Sequence, residues 1–204
     1  SRASANQRAG RCGRVASGVC LRLYGEDDYQ GRPAYTEPEL LRSSLAGVIL
    51  RMKSLHLGEV ERFPFLDAPL PKAISDGYGL LSELGAVDES NELTEIGRQL
   101  ARLPLDPCIA RMILAAKQEG SLAEVLIIAA ALSLQDPRER PLERAGAADA
   151  AQLRFNDEKS DFLAFLKLWK FYQEALAHKK SNRKLAGLCR ENFLSYNRMR
   201  EWLD

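Results

Sequence analysis

Gly85-Ala86-Val87-Asp88-Glu89-Ser90-Asn91-Glu92-Leu93-Thr94-Glu95-Ile96-Gly97 is the stretch on which the fold turns. Gly85 stands where a left-handed residue commonly ends a helix. Ala86-Val87 and Leu93 flank a polar tip, Asp88 to Asn91, as the arms of a short hairpin, and Thr94 opens a further helix through Ile96 and Leu100. Working back, Ile74, Tyr78, Leu81 and Leu84 recur at helical spacing and give the preceding helix its buried face. Before that, Thr36-Glu37-Pro38-Glu39 has the form of a capping box. Leu41, Leu45, Val48, Ile49 and Met52 follow on one stripe, with Gly58 as the stop. Helix, helix, small hairpin, helix describes a winged-helix-like unit over residues 36–105.

Downstream the chain is helical. Asp106-Pro107 reads as an N-cap followed by proline in the first turn, opening a helix through Ile109, Met112 and Ile113 as far as Gly120. Ser121-Leu122-Ala123-Glu124 has the capping-box form and opens Leu122 to Leu134, which is apolar on nearly every face and is expected to be central and buried. Gln135 to Asp149, with prolines at 137 and 141, reads as a loop. Phe162, Phe165, Leu166, Trp169, Tyr172 and Leu176 define a long amphipathic helix from near Asp161. Leu185, Leu188, Phe193, Met199 and Trp202 place one or two more helices in the tail. Residues 106–204 are thus expected to form a second, helical domain, and the chain as a whole to be mainly α.

Upstream lies the densest chemistry. Gln7-Arg8-Ala9-Gly10-Arg11-Cys12-Gly13-Arg14 sets three arginines and a glutamine within eight residues, with two glycines that let backbone approach a ligand closely. Guanidinium groups form charge-assisted, bidentate bonds to phosphate oxygens, so Arg11 and Arg14 could grip one triphosphate. A nearby glutamine can orient an attacking water, and an arginine can neutralise charge on a transferred phosphoryl group. On the residues alone, an anion-binding loop and a solvated arginine-rich turn both stand. Gly18 to Tyr24, with Val19, Leu21 and Leu23 alternating, reads as a strand after this loop, and the acidic segment Tyr24 to Tyr35 as a linker.

Ser4 to Arg14 resembles the final helicase motif of the DEAH-box RNA helicases, whose pattern is Q-R-x-G-R-x-G-R. Gly18-Val19-Cys20-Leu21-Arg22-Leu23-Tyr24 is similar to the strand after that motif, and Pro38-Glu39-Leu40-Leu41-Arg42 to the start of the family's winged-helix domain. Phe63-Pro64-Phe65-Leu66-Asp67-Ala68-Pro69, Leu93-Thr94-Glu95-Ile96-Gly97 and Leu103-Pro104-Leu105-Asp106-Pro107 resemble further signatures leading into the helical ratchet domain. Cys189-Arg190-Glu191-Asn192-Phe193-Leu194-Ser195-Tyr196 is similar to the bacterial HrpA-like branch. The resemblance covers nearly the whole chain. It implies a carboxy-terminal piece of an ATP-dependent RNA helicase: the end of a second RecA-like domain (1–35, loop plus strand), a winged-helix domain (36–105) and a ratchet domain (106–204). It further implies Arg11 and Arg14 on the nucleotide γ-phosphate, Gln7 positioning the lytic water, and Arg8 in the same nucleotide site. No G-x-x-x-x-G-K-[ST] loop and no Asp-Glu-Ala-His segment occurs in the sequence, and the family's oligonucleotide-binding-fold domain is expected to follow. ATP and magnesium are therefore expected to act in the full-length protein, with neither held nor turned over by this piece alone.

The remaining features are read more plainly. His178-Lys179-Lys180-Ser181-Asn182-Arg183-Lys184 is the strongest basic cluster, and Lys179, Lys180, Arg183 and Lys184 are the candidates for contact with single-stranded RNA, against the ordinary reading of a solvated helix end. The aromatic series from Phe162 to Tyr172 is expected to be core rather than a stacking platform. The wing tip is acidic and expected to be structural, and His56 a surface or packing residue. With 29 Lys and Arg against 28 Asp and Glu, net charge argues for no partner. The apolar run from Val125 to Leu132 is far short of the ~20 residues that cross a bilayer. The four cysteines are scattered with no C-x-x-C pair, so no metal site is expected. A monomeric, cytoplasmic protein is expected, and the rival functional reading is a free-standing winged-helix module that binds nucleic acid or docks a protein.

Overall fold

The computed structural model describes residues 1–38, 44–178 and 181–203. These divide into two compact units, Ser1–Ala101 and Arg102–Asp204. The described residues are helical with no sheet; two isolated antiparallel bridges, Val87 with Leu93 and Arg138 with Leu194, are the β-pairings among them.

The first unit begins with α1 (Arg2–Arg11) and α2 (Glu26–Gly31), followed by α3 (Ala46–Ser54), α4 (Pro71–Glu83) and α5 (Glu95–Ala101). α3 packs against both α4 and α5. Of the two stripes read from helical spacing, Leu45, Ile49, Met52, Ile74 and Leu81 are buried and Val48, Tyr78 and Leu84 half-buried; Ala46, Leu50, Val60, Val87 and Leu100 join them in the core. Glu39 and Leu41, part of the expected capping box and stripe, lie outside the described residues.

The hairpin and the helix after it follow from local chemistry. Gly85 adopts φ +69 and Asn91 φ +61, the left-handed positions a helix stop and a tight tip require. The Asp88 carboxylate accepts from the amides of Ser90 and Glu92 at 2.9 Å each, closing the tip as an Asx turn. The Thr94 hydroxyl donates to Gly85 O at 2.6 Å and accepts from Gly97 N at 3.1 Å, so it both caps α5 and ties it to the preceding helix stop. Gly97 is fixed by space: a Cβ there would sit 2.0 Å from Ala86 O and 3.1 Å from the Leu93 side chain. Gly97→Ala is therefore expected to force backbone apart in the wing and to destabilise the unit by roughly 1–3 kcal/mol, read as a shift of the urea midpoint. An unchanged midpoint would show that α5 does not need its close approach.

The second unit contains α6 (Pro107–Gln118), α7 (Leu122–Ser133), α8 (Ala145–Gln152), α9 (Asp161–His178), α10 (Asn182–Glu191) and α11 (Tyr196–Leu203). Asp106 caps α6, accepting from Cys108 N at 2.8 Å, with Pro107 in the first turn and Gly120 at φ +70 beyond its end. α7 packs on α6 and α9, and α10 on α11. Phe155, Phe165, Leu168, Tyr172, Leu185, Cys189, Leu194, Met199 and Trp202 make one core. The aromatic series is mostly packing, as its spacing indicates, although Phe162 at its start is 45% exposed.

Several sequence expectations are corrected here. Residues 1–14 are not a loop: α1 runs to Arg11, because Ser1 caps it by accepting from Ser4 N at 3.2 Å and the alanines, arginines and glutamine that follow are good helix formers. Gly18 to Tyr24 is not a strand. Val19, Leu21 and Leu23 are 84%, 84% and 98% exposed, and an extended segment without a neighbour has no ladder to join. The acidic linker contains α2, and the expected loop over 135–149 runs into α8, whose alanine-rich sequence favours helix and buries Ala148 fully. Ser121 stands at the N-cap of α7 but makes no side-chain capping bond. Finally, α7 is not buried all round: Ile128, Ala129 and Ala131 are buried and Ile127 and Ala130 pack on the aromatic core, while Leu126 and Leu132 are 47% and 41% exposed.

Candidate nucleotide-phosphate site

The arginine-rich segment is presented by the last two turns of α1. Ala5 is the residue by which this helix buries itself, and two backbone bonds, Arg2 N to Pro33 O and Ala3 N to Ala34 O at 2.9 Å each, dock its first turn on the chain that follows α2. In the middle, Asn6 Oδ1 accepts from Arg22 Nη2 at 3.0 Å and from the Tyr29 hydroxyl at 2.8 Å, while the Arg22 guanidinium lies 4.3 Å over the Tyr29 ring. Asn6 thus pins the helix one residue before Gln7. Nothing in the spacing of the sequence marks it for that role, because its partners lie 16 and 23 residues away.

Gln7 and Arg11 are four residues apart and share one exposed face of α1; Arg8 lies beside them, about 100° round. Arg14 lies beyond the helix, after the cap at Cys12, whose amide donates to Ala9 O at 3.1 Å. Gln7, Arg8, Arg11 and Arg14 are all exposed. Arg8 and Arg11 fall in the last turn, where cations complement the helix dipole. A Cβ on Gly10 or Gly13 would meet nothing within 4 Å, so the surface between the arginines is open.

The contrast with neighbouring arginines decides how this cluster is read. Arg32 pairs with Asp28 at 2.6 Å, stacks 3.9 Å over the Tyr24 ring, and is held above its ordinary pKa chiefly by that hydrogen bond. Arg22 is committed to Asn6 and Tyr29. Arg8, Arg11 and Arg14, all exposed and within seven residues, have no ion pair or side-chain hydrogen bond among the described residues. They stay together without any intramolecular return, which suits a polyanion arriving from outside. The donor set fits phosphate oxygens: guanidinium groups donate hydrogen bonds and offer no ligand to magnesium, and among the described residues no group of three or more acidic, histidine or cysteine side chains could hold a metal ion.

The other candidates are less convergent. Lys179 and Lys180 lie outside the described residues. Arg183 and Lys184 are exposed in the first turn of α10, capped by Ser181, where positive charge opposes the helix dipole. At the wing, Glu92 pairs with Lys53 at 3.0 Å, making the acidic tip part of the packing of the unit. His56 is exposed at φ +54 just past α3. Among the described residues no helix is long and apolar enough to cross a membrane.

The chain is similar to known proteins in two stretches and over its whole length. Residues 79–105 match the family described as helicase associated domain (HA2), winged-helix, and residues 106–165 the one described as helicase associated domain (HA2), ratchet-like. The whole chain is similar to the ATP-dependent RNA helicase HrpA homolog of Haemophilus influenzae, at 52% identity, and to ATP-dependent RNA helicase HrpA of Escherichia coli, at 51%. Over 98% of its length it is 34% identical to the probable ATP-dependent RNA helicase DHX34 of Homo sapiens. The chain spans 16% of the length of each bacterial relative and 17% of the human one. With a winged hairpin, a ratchet-like helical unit and an exposed Q-R-x-G-R-x-G-R helix end in one sequence, the chain carries stretches of the two HA2 helicase-associated domains and matches a segment of the HrpA-like ATP-dependent RNA helicases.

Proposed function

We propose that this chain serves an ATP-dependent RNA helicase by supplying the arginines that complete its ATP site, together with helical domains that handle single-stranded RNA. The observation carrying the reading is the set of uncompensated guanidiniums of Arg8, Arg11 and Arg14 at the exposed end of α1, with Gln7 on the face of Arg11. Arg11 and Arg14 engage the γ-phosphate in the full-length protein, Gln7 orients the attacking water, and Arg8 adds to the nucleotide site. The phosphate cradle and the carboxylate that would hold magnesium belong to sequence outside this chain, since neither motif is present in it. Magnesium, when bound there, would neutralise phosphate charge, and the guanidiniums of this chain would add to that by hydrogen bonding to the phosphate oxygens. The domain limits that go with this reading are 1–35, 36–105 and 106–204, the site of action is the cytoplasm, and the isolated piece is monomeric.

RNA-stimulated phosphate release tests the division of labour. The whole protein should hydrolyse ATP with stimulation by single-stranded RNA, while the 204-residue chain, folded by circular dichroism, should release none above background. Turnover by the purified chain alone would overturn the view that it holds only one wall of the site.

A further inference from the structure

We infer that the second unit carries a subsite for one nucleotide of a single strand in the cavity between the 139–144 segment, the end of α10 and the start of α11. The cavity holds about 420 Å³ and is lined by Glu139, Arg144, Arg190, Phe193, Tyr196 and Asn197 among others. That volume is within the range of small-molecule sites. Its lining combines two guanidiniums, two aromatic rings and an amide, the groups that hold a phosphate, stack a base and read its edge.

Two observations set this cavity apart from ordinary surface. The first concerns its cations. Nearby, Arg138 is paired with Asp136 at 2.6 Å and Arg140 with Asp149 at 2.7 Å, whereas Arg144 and Arg190 have no carboxylate partner among the described residues. Glu139 is the one carboxylate on the rim. The second concerns Phe193. The end of α10 is a complete Schellman turn, with Phe193 N donating to Arg190 O at 3.2 Å and Leu194 N to Cys189 O at 2.9 Å. The left-handed position of that turn, normally glycine, is occupied by Phe193 at φ +52. A bulky residue held there costs stability. In return its ring lies under the Arg144 guanidinium at 4.8 Å, and its carbonyl accepts from Glu139 N at 2.8 Å and Gln152 Nε2 at 3.1 Å. The carbonyl bonds would survive a glycine; the ring would not. The ring with its stacked guanidinium is what the strain maintains, and it faces a cavity wide enough for a base and its phosphate.

The inference rests on the helicase reading only in choosing a strand over a free nucleotide as the source of that group. Fluorescence anisotropy of a labelled oligouridylate with the 204-residue chain tests it, using Arg144→Gln, Arg190→Ala and Phe193→Gly, with Lys170→Ala, exposed and outside the cavity lining, as the comparison. Each cavity variant is expected to weaken binding on the order of tenfold, the loss typical of one stacked base or one phosphate contact. Phe193→Gly is the informative one: by relieving the positive φ it should leave the melting temperature unchanged or higher while binding falls, which a purely structural phenylalanine would not do. Saturable binding of uridine monophosphate without binding of the strand would keep the subsite and assign it to a free nucleotide. Wild-type affinity in all three cavity variants, or displacement of the RNA by a polyglutamate peptide as effectively as by unlabelled RNA, would overturn it. The assay contains no ATP, so failure here leaves the arginine site untouched, and failure of the turnover test leaves this cavity standing.

Discussion

Arg11→Lys or Arg14→Lys in the full-length helicase is expected to lower RNA-stimulated ATP turnover by on the order of 10³-fold, with RNA affinity and folding close to those of the parent. The physical case starts from exposure. Both side chains are exposed and make no hydrogen bond, ion pair or ring contact among the described residues, so replacing either removes no such bond. What it removes is a planar fork that binds two phosphate oxygens at once, and lysine, a point charge on a flexible stem, cannot reproduce that geometry. Charge spreads over the equatorial oxygens as the phosphoryl group is transferred, so the loss falls on the transition state more than on bound ATP. The signature is a fall in kcat with a small change in KM. Asn6→Ala offers an internal contrast, since it frees α1 from Arg22 and Tyr29 while keeping both arginines; it should slow turnover by less, through misplacement. Near-parental turnover in both lysine variants, or a loss tracking the melting temperature, would remove Arg11 and Arg14 from the ATP site.

How much of this was legible beforehand depends on how local the determining physics is. The wing could be read because Gly85, Asn91, Thr94 and Gly97 each answer to a constraint within a dozen residues: a positive φ, a cap, a close contact. The α6 cap and the aromatic core of α9 were readable for the same reason. The segment 18–24 failed on a non-local requirement. Its alternation is that of a strand, but a strand exists only when another supplies its ladder, and no such neighbour is found among the described residues. The α1 helix was read as a loop because its arginines and glycines suggested ligand chemistry, while the alanines between them and the Ser1 cap were already sufficient for a helix. Periodicity gave α7 as buried all round because it reports how apolar a face is and not whether anything covers it. The arginine cluster was visible as residues; that its members lack partners, while Arg22 and Arg32 have them, is information only three dimensions contain. Phe193 was read as part of a tail helix; it stands instead in the turn between α10 and α11, in a left-handed backbone conformation that apolar spacing does not report.

Trp202→Ala is expected to destabilise the second unit by about 3–5 kcal/mol, a large share of the stability of a domain this size. Trp202 is 4% exposed and joins three helices: from α11 its indole Nε1 donates to Ile127 O on α7 at 3.0 Å, and its ring meets Phe165 edge-on at 6.1 Å and Trp169 at 5.1 Å on α9. Truncation to alanine would open a cavity at that junction and leave the Ile127 carbonyl without its indole donor. These two losses add because neither neighbouring helix can close the gap without breaking its own packing. Trp202→Phe separates the terms, keeping most of the volume and losing the hydrogen bond, and should cost about 1–2 kcal/mol. Leu203→Ala, at a residue 38% exposed one position on, should change stability by less than about 1 kcal/mol. Urea unfolding followed by tryptophan fluorescence, from Trp169 alone in the two Trp202 variants and from both tryptophans in Leu203→Ala, measures all three. The ratchet-like match ends at residue 165, and Trp202 lies in the helices beyond it. A large loss at Trp202 with a small one at Leu203 would establish that α10 and α11 complete one cooperative core with α6, α7 and α9. Equal and small losses would mean that the 106–165 region folds without them.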